Sequence, residues 1–117
     1  KAALSSYDFV CVHIEAPDEC THCGDLEGKI QAIENVDGLI LKPLSDYLAQ
    51  SGEDYRILVM PDHQTLMGTR THGAQPIPYF IFDSRQNAGC GRPYGESFAA
   101  GGPLIDPGSA LMGRFFG

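Results

Sequence analysis

Tyr7-Asp8-Phe9-Val10-Cys11-Val12-His13-Ile14 is a β-branched and aromatic run of strand length with little polar alternation. That pattern fits a strand buried on both faces, and such strands belong to parallel sheets covered by helices. Pro17, Gly24 and Asp25 follow it, the last a good cap for a helix. Leu26, Ile30, Ile33, Ile40, Leu44 and Leu48 then recur at helical spacing, predicting an amphipathic helix to about Gln50 that stops at Gly52. Pro43 should kink or divide it.

Beyond the helix, Arg56 to Met60 and Ile77 to Asp83 read as two further buried strands, the latter entered between Pro76 and Pro78. A helix between the first two strands makes a βαβ crossover of adequate length. The expected fold class is therefore α/β, a mostly parallel sheet with flanking helices. Eight of the fourteen glycines fall between Ser84 and Gly117, together with Pro93, Pro103 and Pro107, so that segment reads largely as loop. Gly108 to Phe116 alone looks able to form a short closing helix. Neither an internal repeat nor a dividing linker is evident, and residues 1–117 read as one domain segment.

Fifteen acidic residues against eight Lys and Arg give a formal charge of −7, the wrong sign for a chain that neutralises nucleic-acid phosphates. No apolar run approaches the ~20 residues of a membrane span, and Lys1 to Asp8 lacks the apolar stretch of a secretion signal. A cytoplasmic location is expected. The cysteines, Cys11, Cys20, Cys23 and Cys90, read as thiols because the composition is unlike that of a small disulfide-stapled fold. Cys20-Thr21-His22-Cys23 has the spacing of a redox pair or half a zinc site, yet no second pair follows it.

Potential chemistry gathers beside the predicted strands. Asp18 and His22 are spaced to share one side of a helical turn, Asp62 and His63 follow the second strand directly, and His72 precedes the third. Were the strands parallel, Asp18, His22, Asp62 and His63 would converge at the edge where open α/β folds bind ligands, with His72 joining if its loop folds back. That set is too large for one tetrahedral site and suits parts of two neighbouring ones. Nitrogen and oxygen donors without thiolate favour Mn²⁺ or Zn²⁺, with Mg²⁺ an alternative. The competing reading of such pairs is caps and surface charges. His13 reads first as a hydrogen-bonded core histidine, and Asp37 as a carboxylate near the edge of the apolar stripe. Lys29 and Arg70 divide between substrate contact and ordinary solvated side chains.

The segment Phe9-Val10-Cys11-Val12-His13-Ile14-Glu15-Ala16-Pro17-Asp18-Glu19, with His22, Gly24-Asp25 and Lys29, resembles a motif of archaeal-type cofactor-independent phosphoglycerate mutases. Tyr55-Arg56-Ile57-Leu58-Val59-Met60-Pro61-Asp62-His63 and Arg70-Thr71-His72 with Pro76-Ile77-Pro78 resemble its next two motifs, in the same order. The resemblance implies an alkaline-phosphatase-like core and an isomerase that interconverts 3-phosphoglycerate and 2-phosphoglycerate through a phosphoserine, without bisphosphoglycerate.

It further implies that Asp18, His22 and His72 hold one metal, and that Asp62 and His63 supply half of a second site. Arg70 and Lys29 are its candidates for substrate contact. The nucleophilic serine, another metal-binding aspartate and a substrate lobe are expected on polypeptide upstream of this segment, which by itself should bind metal weakly and turn over little. Other phosphomutases, phosphatases and homoserine-kinase-like relatives share the metal chemistry. A non-catalytic zinc domain built on Cys20, Cys23 and His22 is the alternative from another class. The unusual Cys20, Thr21 and Cys23 leave soft-metal binding open.

Overall fold

The computed structural model describes residues 1–86, 89 and 91–117. Cys90, read above as a thiol, lies outside them. The chain forms two compact units, one of Lys1–Glu53 with Thr65–His72, the other of Asp54–Gln64 with Gly73–Gly117.

The first unit is mainly helical. A 3-10 turn at Ala2–Ser5 leads into residues 7–15, which have no regular secondary structure. The strand expected at Tyr7–Ile14 is therefore not formed, and Tyr7, Phe9 and Val12 stand largely in solvent. A buried strand needs hydrogen-bonded neighbours, and among the described residues the strands pair only with one another.

Helix α1, Ala16–Cys23, has Pro17 in its first turn, where a missing N–H is harmless, and Asp18 and Glu19 beside its positive end. It closes in a Schellman motif: left-handed Gly24 (φ 74°) donates to the Thr21 carbonyl, and Asp25 to that of Cys20. The Asp25 side chain then accepts from the Gly28 N–H at 2.9 Å, starting helix α2, Leu26–Asn35.

The predicted long helix is present but changes winding. Between α2 and α3, Lys42–Ser51, the chain runs as a π-helix over Val36–Leu41, and Gly52 (φ 76°) ends the whole. Pro43 accounts for this, since proline offers no N–H and its ring collides with the carbonyl four residues back in an α-helix, while wider winding relieves that crowding. Asp37 lies on this π segment and is exposed rather than turned inward. Leu26, Ile30 and Ile33, the leading half of the predicted apolar stripe, are each about half exposed.

In the second unit, β1 (Arg56–Val59) pairs with β4 (Phe80–Asp83) in antiparallel register, Arg56 opposite Asp83 and Val59 opposite Phe80. The mostly parallel sheet expected from the sequence is not what these strands form. A parallel return needs a covering crossover, usually a helix, and residues 60–79 contain instead the paired strands β2 (Gln64–Leu66) and β3 (Thr71–Gly73).

Asp83 anchors the unit. Its carboxylate accepts from Arg56 Nε at 2.7 Å and from Arg85 Nη2 at 2.6 Å, while Arg56 Nη1 donates to the Phe115 carbonyl. Hydrogen bonds from Arg85, then Arg56, hold the Asp83 carboxyl well below its ordinary pKa. The Gly-rich tail carries helix α4, Glu96–Ala99, and the predicted closing helix α5, Ala110–Phe116. On α5, Leu111 is the buried apolar residue of the core among the described residues.

Candidate metal centre

Helix α1 presents Asp18 and His22 on one face because they are four residues apart. The β2–β3 turn returns His72 to that face. His22 Nε2 lies 3.3 Å from Asp18 Oδ2 and 3.3 Å from His72 Nε2, and His72 Nε2 lies 3.5 Å from Asp18 Oδ1. One donor atom from each of the three falls within 4.8 Å of the others.

The spacing suits a cation. Ligands at about 2.0–2.1 Å around a tetrahedral ion stand ~3.3–3.4 Å apart along each edge, matching the 3.3 Å separations here. Two imidazoles and a carboxylate form a nitrogen and oxygen donor set, suited to a divalent cation rather than to a soft, thiolate-preferring ion.

Neighbouring groups orient these donors. His22 Nδ1 lies 2.7 Å from the Arg70 carbonyl, an oxygen that can only accept. Nδ1 therefore donates to that carbonyl, which turns Nε2 toward His72 and Asp18. Thr65 Oγ1 donates to Asp18 Oδ1, and the Thr65 carbonyl accepts from Lys29 Nζ at 2.8 Å. Lys29 is thus tied to the backbone of β2.

Arg70 has a left-handed backbone, φ 56°, uncommon outside glycine, and its N–H donates to the Leu66 carbonyl at 2.7 Å. Its guanidinium lies over Gly24, where a Cβ would stand 2.5 Å from Cζ. Thr65 and the Arg70 carbonyl went unnoticed in the sequence. A threonine on a short strand and a main-chain oxygen carry no spacing signal when their partners are 47 and 48 residues away.

Asp62 and His63 belong to the second unit and form a pair of their own. His63 Nε2 lies 3.5 Å from Asp62 Oδ2, His63 N–H donates to Asp62 Oδ1 at 3.1 Å, and Asp62 is the more exposed of the two. The adjacent Gln64 Oε1 is buried with no hydrogen-bond partner. His13, read first as a core residue, is exposed and 3.6 Å from Glu15. Cys11 and Cys23 are exposed free thiols and Cys20 is a partly covered one. Among the described residues, no potential metal-holding group of three draws on a cysteine.

Comparison with known proteins agrees with a metal-dependent reading. The Metalloenzyme superfamily profile matches residues 1–113. A 2,3-bisphosphoglycerate-independent phosphoglycerate mutase of Methanothrix thermoacetophila is 49% identical over 82 residues, 70% of this chain and 21% of that protein. A probable mutase of the same name from Geobacter sulfurreducens is 38% identical over 112 residues, covering 94% of this chain and 28% of its own length. A third, from Methanothermobacter thermautotrophicus, is 44% identical over 102 residues, 87% of this chain and 25% of that protein. The chain thus spans roughly a quarter of the length of these curated relatives. No solved structure gives a match. On a profile match covering nearly every residue, the chain belongs to the Metalloenzyme superfamily.

Proposed function

We propose that this chain is the C-terminal metal-binding segment of a phosphoglycerate mutase that interconverts 3-phosphoglycerate and 2-phosphoglycerate without bisphosphoglycerate. The carrying observation is the convergence of Asp18, His22 and His72 in a chain whose relatives bear that enzyme's name. The proposed complement is two divalent ions, Mn²⁺ or Zn²⁺ with Mg²⁺ as the alternative. Asp18, His22 and His72 are assigned to one ion, and Asp62 with His63 to part of the second site.

Ions so held supply positive charge against a phosphoryl group, which this acidic chain otherwise repels. The chain's own residues set the geometry. Asp18 contributes negative charge held in place by the Thr65 hydroxyl, and His22 and His72 contribute ring nitrogens. In this reading the nucleophilic serine, a substrate lobe and the strands that would pair with residues 7–14 in a mostly parallel sheet come from the remaining polypeptide. The exposed side chains of that run support the last point. Arg70 and Lys29 are engaged within the first unit, which favours supporting roles over substrate contact. The proposed location is cytoplasmic and the proposed substrate a small molecule; among the described residues no helix is long and apolar enough to cross a membrane.

The test is an assay of the full-length polypeptide with Mn²⁺ and 3-phosphoglycerate, no bisphosphoglycerate being added, beside Asp18→Ala and Asp62→Ala. Metal-dependent formation of 2-phosphoglycerate, lost in both variants, is the expected result. A folded, metal-loaded protein with no turnover would transfer the site to another phosphorylated substrate.

A further inference from the structure

We infer that the turn joining β2 to β3 is the positioning element of this centre, and that the backbone of Arg70, not its guanidinium, is what sets the state of His22. The inference rests on the metal reading above but concerns a property of the protein without an ion.

Two bonds reach α1 from this short stretch besides His72 itself: the Thr65 hydroxyl to Asp18 and the Arg70 carbonyl to His22 Nδ1. Each ligand of the triad is thus supplied or held by residues 65–72. The Arg70 carbonyl points at His22 because the residue is left-handed, with its N–H closing the turn onto Leu66. Most side chains are strained in that region, and such outliers persist only where surrounding contacts impose them. Here those contacts are the Leu66 and His22 hydrogen bonds and the packing of the guanidinium over Gly24. A flip of Arg70 to an ordinary φ would withdraw its carbonyl and free the imidazole to place its proton on Nε2, the nitrogen that faces His72.

The deciding experiment uses the full-length polypeptide labelled with ¹⁵N-histidine, without metal, at alkaline pH where imidazoles are neutral. Long-range ¹H–¹⁵N correlation reports which ring nitrogen of His22 carries the proton. Wild type and Arg70→Gly, which keeps the left-handed backbone and discards the guanidinium, are expected to show the proton on Nδ1. Arg70→Val, whose β-branched side chain resists that conformation, is expected to show a mixture. Zn²⁺ titration should then give Arg70→Gly close to wild type and Arg70→Val weaker by about 10–100-fold, the usual cost of losing an outer partner of a metal-bound histidine.

A mixed His22 state in Arg70→Gly would overturn the inference, and that variant decides the matter even if Arg70→Val does not fold. An unchanged Nδ1–H state in a folded Arg70→Val would overturn it as well. Failure of the metal reading looks different: no Zn²⁺ uptake by any form, with the His22 proton still following the Arg70 backbone.

Discussion

The Nε2 atoms of His22 and His72 stand 3.3 Å apart although fifty residues separate them in the chain. Two imidazole nitrogens at that distance can be bridged by a cation, and the Asp18 carboxylate beside both adds the negative charge that such an ion requires. Replacing either histidine by alanine should therefore lower Zn²⁺ or Mn²⁺ affinity by more than the ~10–100-fold that loss of an outer partner costs. Calorimetric titration of the full-length protein measures it, and retention of wild-type affinity in both variants would remove this triad as the site.

Cys20 and Cys23 flank His22, but neither joins its cluster. The double Cys20→Ser, Cys23→Ser protein should bind the same ion with unchanged affinity. Loss of binding in that protein alone would move the ion to the thiolates and favour a zinc-holding domain.

Asp83 gives a pH signature. Its folded-state pKa is depressed by hydrogen bonds from Arg85 and Arg56 below the ordinary carboxylate range, so its stabilising contribution is complete above the unfolded pKa, near 4. The contribution fades as pH falls from there toward the folded value. Asp83→Asn should lower the urea midpoint at neutral pH, with the gap to wild type closing in strong acid. A gap of unchanged size in strong acid would show that its source is not the charge of the Asp83 carboxylate.

Gly24→Ala should destabilise the first unit by about 1–2 kcal/mol, the cost of a left-handed alanine. The Arg70 guanidinium, met 2.5 Å from the added Cβ, is the far end of a flexible side chain and can swing away, so backbone strain dominates. Chemical denaturation provides the check, and an unchanged midpoint would mean that the Schellman turn tolerates the substitution by unwinding.

Local signals were readable in the sequence where local physics decides. Asp25 caps α2, Gly52 ends α3, and the apolar pattern of Leu111, Met112 and Phe115 closes the chain as a helix. Pro43 announced a disturbance but not its form, because a kink, a break and a π turn all relieve the same clash. The Tyr7–Ile14 run misled because residue type reports what a segment could pair with, whereas a strand exists only beside another strand. The Asp18–His22 pair was legible from helical period, and the approach of His72 was a question of how a turn folds back, which periodicity does not encode.

The return of residues 65–72 to α1 has a temporal side. At roughly 5–20 residues per second of synthesis, the fifty residues between His22 and His72 correspond to about 3–10 s. Throughout that interval Asp18 and His22 lack the third member of their cluster. On the metal reading proposed above, an ion that needs all three side chains would load only after translation of the stretch is complete.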